Sequence, residues 1–94
     1  MHAVIRQYSG SGTEELFDAL EQRESEVREL IGTVPGFVSY AAVRTADGGT
    51  TVTVCQDKEG TDESTRRAAA WVAENIHVSI GAPSITEGET SLQF

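Results

Sequence analysis

The chain has 94 residues, of which 15 are acidic and 7 are basic, and its net charge is −8. This length predicts a single domain, residues 1–94, whose small core would gain stability from a second copy. The negative charge and the lack of a basic stripe argue against nucleic acid as a partner. The single cysteine, Cys55, excludes an internal disulfide and a multi-cysteine zinc site, which is compatible with a reducing cytosol.

The first predicted element is a strand over residues 2–8, HAVIRQY, which is rich in β-branched and aromatic side chains. Arg6 interrupts its apolar run, so this segment lacks the hydrophobic stretch of a signal peptide or of a membrane span. We therefore expect a cytoplasmic protein with no membrane partner. The glycines of SGSG, residues 9–12, end the strand.

A long helix is predicted next, over residues 13–31. Ser11 and Glu14 have the spacing of a capping box, and Gly32 is a typical C-terminal stop. Residues 34–37, VPGF, must then be extended or turned, because a residue before proline avoids the helical region. A strand is expected to follow.

Two strand-like runs, residues 37–46 and 49–57, flank the turn sequence DGG and predict a hairpin. With Asp47 and Gly48 as the turn residues, position 43 lies opposite position 52, and position 41 opposite position 54. The alternation of side chains then defines two faces. One contains Val43, Val52, Ala41 and Val54, and the other contains Arg44, Ala42, Tyr40, Thr53 and Cys55.

A second helix is predicted to start at Thr61 or Asp62, either of which can cap it, and to end near Ile76 or His77. On a helical wheel it has two adjoining stripes. The stripe predicted to lie on the sheet contains Thr65, Ala69, Val72 and Ile76, and the flanking stripe contains Ser64, Ala68, Trp71 and Asn75.

The sequence GAP at residues 81–83 breaks the chain, and residues 84–94 are predicted to form a last strand, bent at Gly88. The element order is then β, α, β, β, α, β. This is the ferredoxin-like arrangement, an α+β fold in which an antiparallel sheet carries two helices on one face. The other face has few charged residues, which favours packing against a second copy.

The segment VPGFVSYAAVR, residues 34–44, follows an amphipathic helix and leads into a strand. In this feature, and in the order and length of its elements, the chain resembles the dimeric α/β-barrel superfamily that includes the antibiotic biosynthesis monooxygenases. The resemblance implies a homodimer and an oxygenase reaction without a prosthetic group. Two family features differ. CQD at residues 55–57 stands where members often carry a tryptophan, and Ala69 and Ala70 occupy the middle of a helix that often carries a histidine.

Trp71 and Asn75 are one helical turn apart and form a candidate ligand-binding surface, since a flat ring beside an amide suits an aromatic or carbonyl ligand. The alternative is that Trp71 packs at the edge of the core. Neither His2 nor His77 has a metal-ligand partner in the sequence, so no metal site is predicted.

Tyr40 and Arg44 lie on one face of a predicted strand, and Arg6 and Tyr8 on one face of another. Together they could line a polar cavity for an anionic or phenolic substrate, with Tyr40 handling a proton and Arg44 supplying charge. The alternative is that both tyrosine hydroxyls reach water and that both arginines span a dimer interface.

Three functions remain open. The first is a cofactor-independent, monooxygenase-like enzyme that acts on a small aromatic or phenolic compound. The second is a non-catalytic homodimer that binds a small molecule or acts in assembly. The third is an acidic surface that docks a basic protein.

Overall fold

All residues, 1–94, are described by the structure, which is a computed structural model. No helix in it combines the length and the apolar character needed to cross a membrane. Its elements in chain order are β1 (His2–Ser9), α1 (Thr13–Gln22), α2 (Glu24–Gly32), β2 (Phe37–Thr45), β3 (Gly48–Cys55), α3 (Lys58–Asn75) and β4 (Ser84–Glu89).

The four strands form one antiparallel sheet in the order β2-β3-β1-β4. Buried and more exposed residues alternate along β1, and the buried ones are His2, Val4, Arg6 and Tyr8. Side chains of this set face the helices, and the intervening ones face the uncovered side of the sheet. The predicted ferredoxin-like α+β fold is confirmed, with three helices rather than two.

The hairpin of β2 and β3 has a different register from the predicted one. Position 43 pairs with 50 and position 41 with 52, so the turn is residues 46–47. Gly48 begins β3 instead of lying in the turn, and it is so close to the Tyr8 carbonyl that a Cβ would collide with it. Because side chains alternate, a shift of two residues leaves both faces unchanged. The predicted placement of Tyr40 and Arg44 on one face is therefore confirmed.

The predicted helix over residues 13–31 is in fact two helices. At Arg23 the backbone leaves the helical region, with φ −114° and ψ 37°, and α2 starts at the next residue. The predicted capping box at Ser11 is wrong, since no side chain caps α1. The N-cap is Gly12, whose φ of 86° favours glycine, and a Cβ there would collide with the Ser79 carbonyl.

The helix α3 starts earlier than predicted, at Lys58, because the Asp57 carboxylate accepts a hydrogen bond from the Gly60 amide at 3.3 Å and caps it. The glycine also lets the first turn pack closely on the sheet, since a Cβ at Gly60 would lie 2.8 Å from that of Cys55. The α3 start is thus fixed by the loop before it.

The stripe of α3 that the sequence places on the sheet is buried only in part: Ile76 is buried, and Thr65 and Val72 are half-buried. Ser64 and Trp71, from the flanking stripe, are buried, whereas Ala69 of the predicted stripe is exposed. Trp71 has the largest side chain of the helix, and burying it turns the small apolar stripe away from the sheet centre.

The last strand, β4, is shorter than predicted. β4 stops at Glu89, so residues 84–94 do not form one long strand, and Phe94 is exposed.

At the other terminus, His2 is held in β1 and is buried, with Nε2 3.0 Å from a carboxylate oxygen of Glu87.

The core lies between the helices and the covered face of the sheet. Tyr8 and Phe17 pack edge to face, with ring centroids 6.3 Å apart and an interplanar angle of 78°. Gly49 pairs with Tyr8 in the sheet, and the Phe17 ring occupies the room that a side chain at Gly49 would need. The buried apolar cluster consists of Tyr8, Leu16, Phe17, Val27, Ile31, Trp71 and Ile76.

The variant Gly49→Ala tests this packing. Its Cβ would overlap the Phe17 ring, which must then move out of the core, so we expect a loss of roughly 1–3 kcal/mol in the free energy of unfolding. The matched control is Gly81→Ala, before β4, where a Cβ meets nothing within 4 Å. Urea denaturation measures both variants, and equal stabilities would contradict the packing described.

Candidate ligand-binding site

A cavity of about 370 Å³ lies between the two short helices α1 and α2 and the strand β2, and we call it the β2 cavity. Its volume is in the range of small-ligand sites, roughly 300–1,000 Å³. Its charged lining residues, Glu21, Glu24, Arg28 and Arg44, are all exposed. The apolar walls are formed by Phe17, Leu20, Val27, Ile31, Phe37 and Ala42.

Tyr40 lines this cavity and is largely buried. Burial raises the pKa of Tyr40 to about 12, and the nearby positive charge of Arg6 only partly opposes the shift. No hydrogen bond within the chain contributes to that pKa. The hydroxyl is therefore protonated at neutral pH and can donate a hydrogen bond to a ligand, but it is a poor base.

Arg44 lies on the same face of β2 as Tyr40, at the exposed side of the cavity. Its Nη2 donates to Oδ1 of Asp18 at 2.7 Å and to the Glu14 carbonyl at 3.0 Å, and its Nη1 is 3.5 Å from Oε2 of Glu21. The hydrogen bond to Asp18 raises the pKa of Arg44. Two carboxylates thus share its charge at the rim.

Arg6, in the centre of the sheet, is only 1% exposed. Its Nη1 donates to the hydroxyls of Thr51 and Thr53, both at 3.2 Å. Its Nη2 donates to Oγ of Ser64 at 2.6 Å and its Nε to Oγ1 of Thr65 at 3.3 Å. We call these four hydroxyl residues the hydroxyl cage.

No carboxylate pairs with this buried guanidinium. Burial lowers the pKa of Arg6, but an arginine keeps its proton at any ordinary pH, so the site carries a positive charge. Every other lysine or arginine of the chain has a carboxylate within 4.0 Å. They are Arg23, Arg28, Arg44, Lys58, Arg66 and Arg67.

A second, inner cavity of about 20 Å³ lies next to Arg6, with room for about one water molecule. Tyr8, Tyr40 and Trp71 also line it, and Tyr40 lines the β2 cavity as well. Burial raises the pKa of Tyr8, again against the charge of Arg6. The structure thus gathers Arg6 and both tyrosines on the covered side of the sheet.

Trp71 belongs to the core and does not line the β2 cavity. Its Nε1 donates to Oε1 of Glu26 at 2.8 Å, which holds the pKa of Glu26 below its usual value. The Arg23 guanidinium lies over the ring, 5.3 Å from the centroid. These contacts fix the bend between α1 and α2 against α3.

Asn75 borders neither cavity. Its Nδ2 donates to the Trp71 carbonyl at 2.9 Å, and its Oδ1 accepts from Nη1 of Arg23 at 2.7 Å. The Asn75 amide, which the sequence predicts as a ligand contact together with Trp71, is thus hydrogen-bonded within the chain.

The hydroxyl cage is the part of the site that the sequence analysis does not identify. Thr51 and Thr53 alternate along β3, and Thr51 pairs with Arg6. An arginine between Val4 and Tyr8 on one face of a strand is the available signal, because a buried charge requires hydrogen-bond partners. The sequence does not reveal that Ser64 completes the cage from α3.

Other reactive groups are structural. Cys55 is 0% exposed, and burial, followed by the nearby Asp57 charge, raises the pKa of its thiol. No group of three or more His, Cys, Asp or Glu side chains is arranged to hold a metal ion.

No protein-family model matches the chain. No curated protein matches it either. Among solved structures, a monooxygenase of Streptomyces coelicolor in complex with the ligand nanaomycin D is similar, with a TM-score of 0.67 and 18% identity over 99% of this chain and 89% of that one.

Two other solved structures are similar. The haem degrader MhuD of Mycobacterium tuberculosis, with two haems in its active site, has a TM-score of 0.68 and 17% identity over 100% of this chain and 99% of that one. SnoaB, a cofactor-independent oxygenase of Streptomyces nogalater, has a TM-score of 0.59 and 14% identity over 99% and 94%. The predicted resemblance is confirmed, and at these identities it establishes the fold alone.

Titration of the two tyrosines tests the electrostatics of the site. Both pKa values lie above the usual 10, that of Tyr40 at about 12, so little tyrosinate absorbance should appear at pH 10 in the folded protein. In the unfolded chain both tyrosines ionise near pH 10. The free energy of unfolding should therefore fall as the pH rises from about 10 to about 12, and less so in Tyr40→Phe. Normal titration of both residues in folded protein would contradict this description.

Proposed function

We propose that the chain is a cofactor-independent, monooxygenase-like enzyme whose substrate, a small aromatic or phenolic compound, binds in the β2 cavity. The observation that carries the proposal is an apolar cavity with the protonated Tyr40 hydroxyl in its wall, next to the buried charge of Arg6. A flat apolar body would fill the cavity, and an oxygen atom of the substrate would accept the Tyr40 hydrogen bond.

The proposed reaction passes through a substrate anion whose negative charge the site stabilises. Loss of a proton from the substrate, to water or to the exposed carboxylate of Glu21 or Glu24, gives an enolate or phenolate. The Tyr40 hydroxyl and the positive charge of Arg6 both stabilise that anion, which reacts with dioxygen at carbon. For anthrone, the CH₂ group becomes C=O with one atom of O₂, and the second atom leaves as water with the two hydrogens. No external reductant is needed.

Two of the similar proteins support oxygen chemistry on this fold, since their names describe a monooxygenase and a cofactor-independent oxygenase. The haem degrader suggests haem as another ligand. The residues here do not fit that group well, because neither a histidine nor Cys55 lines the β2 cavity to ligate iron, and Tyr40 stays protonated.

A non-catalytic ligand-binding protein is the second candidate. It is favoured by the pKa of Tyr40, about 12, which leaves the inner part of the cavity without a base at neutral pH. A binder needs only the apolar walls and the hydroxyl donor.

Oxygen uptake with anthrone and with quinols separates the two candidates. We expect turnover by the wild type and a loss of kcat of roughly a hundredfold in Tyr40→Phe, because the variant lacks the hydrogen bond to the developing oxyanion. Ala42→Leu should raise KM by filling the cavity, and the matched variant Ala46→Leu, in the hairpin turn, should change neither constant.

Absence of oxygen uptake with the whole panel would exclude the enzyme for these substrates. Quenching of Trp71 fluorescence by the same compounds, abolished in Ala42→Leu and not in Ala46→Leu, would then support the binding protein. The absence of both signals would contradict both candidates.

The proposal includes a homodimer formed through the uncovered face of the sheet. Val43 is 53% exposed there and Ile5 36%, and no residue of this face is charged, although charged residues make up 23% of the chain. A water-exposed sheet face normally carries charges, so this composition favours an interface. The face includes Ala3, Ile5, Gln7, Ser39, Ala41, Val43, Thr50, Val52, Val54, Ser84, Thr86 and Gly88.

Sedimentation equilibrium at micromolar concentration tests the dimer. We expect the wild type to be dimeric and Val43→Lys to be monomeric, because the variant places a charge within an apolar interface. Ala70→Lys, on the exposed side of α3, is the control and should remain dimeric. A monomeric wild type would rule out the proposed assembly.

A further inference from the structure

A groove of about 470 Å³ lies between α3, the strands β1 and β4, and residues 76–83, and we call it the α3 groove. It is on the covered side of the sheet but on the opposite side of Arg6 from the β2 cavity. Only two of its lining residues are ionisable, Arg6 and Tyr8. The walls are apolar and include Ala69, Val72, Ile76, Ile80, Pro83 and Ile85.

Arg6 gives this groove a buried positive charge that nothing in the chain neutralises. A guanidinium has five N–H groups, and the hydroxyl cage accepts four hydrogen bonds from it. One N–H of Nη2 therefore makes no hydrogen bond within the chain. Desolvation destabilises a buried ion that lacks a counter-ion, so an anion that reached Arg6 would be bound favourably.

Two more donors lie beside that charge. Thr65, whose hydroxyl already accepts from Arg6, lines the groove and can donate its own proton to a ligand. Tyr8 is buried and protonated, and no hydrogen bond within the chain contributes to its pKa. Three donors thus line the same apolar groove.

We infer that the α3 groove binds a small monocarboxylate with an apolar body, its carboxylate at Arg6, Tyr8 and Thr65 and its hydrocarbon part along α3. A single guanidinium balances one negative charge. A phosphate dianion would leave excess charge among apolar walls, and a neutral compound would leave the guanidinium unpaired.

Exposed apolar side chains of the groove suit the apolar body, and one of them, Ile85, pairs directly with Arg6 in the sheet. Ile85 is 47% exposed and Val78 36%, so both apolar side chains are available to cover a hydrocarbon chain. The alanines of α3 leave the groove wide along its length. This site shares the charge of Arg6 with the proposed oxygenase site but has its own walls, and it does not depend on that activity.

Calorimetric titration with octanoate and with octan-1-ol, which has the same chain length and no charge, tests the inference. We expect octanoate to bind about tenfold or more tightly than octanol, and Arg6→Met to lose that preference. Ala69→Leu fills the groove without touching Arg6 and should abolish octanoate binding. The matched control Ala70→Leu, which does not line the groove, should bind like the wild type.

Backbone amide shifts on adding octanoate locate the ligand, and we expect them along α3 at residues 68–76 rather than in β2. The inference is overturned if octanol binds as tightly as octanoate, if Ala69→Leu and Ala70→Leu bind octanoate equally, or if the shifts lie in β2. Ala42→Leu should leave octanoate binding unchanged, and Ala69→Leu should leave oxygen uptake unchanged, so that failure of this inference is distinguishable from failure of the proposed oxygenase.

Discussion

The burial of one unpaired arginine charge constrains the rest of the structure. Arg6 lies on β1, the strand between β3 and β4, and its hydrogen bonds reach β3 through two threonines and α3 through Ser64 and Thr65. Hydrogen bonds to a charged group contribute about 1.5–3 kcal/mol each, which offsets a desolvation cost of several kcal/mol. The sheet and α3 must therefore keep their mutual position for Arg6 to stay satisfied.

Because Arg6 must keep these partners, a polar cluster lies inside the apolar layer between the sheet and the helices. The charge of Arg6 is near two tyrosine hydroxyls that burial keeps protonated, and each tyrosine lines a cavity on its own side of the arginine. A positive field flanked by neutral donors favours anionic oxygen atoms. The β2 cavity and the α3 groove thus differ in shape but share one source of charge.

The sequence was sufficient for the fold and for most of the face assignments. Alternation along the strands placed Tyr40, Arg44, Arg6 and Tyr8 correctly in pairs, and it survived a hairpin register that was wrong by two residues. The break at Arg23 and the buried face of α3 were not predictable, because the local pattern there is helical and the bend depends on contacts with Trp71 and Asn75 from a distant helix. The hydroxyl cage was missed for the same reason, since Ser64 meets Arg6 only in the folded chain.

The two faces of the sheet differ in a way that separates assembly from ligand chemistry. The covered face contains the buried guanidinium, whereas the uncovered face has no charged residue even though the chain carries a net charge of −8. The acidic residues lie instead on helices, loops and the helix-facing side of the edge strand β4, where water solvates them. A partner on the uncovered face would therefore meet little electrostatic repulsion at the interface itself. It would also restrict the motion of β1 and β3 by packing on the side opposite to Arg6. Because Arg6 and its two threonine partners belong to those strands, such an assembly would stabilise the hydroxyl cage without adding a residue to it.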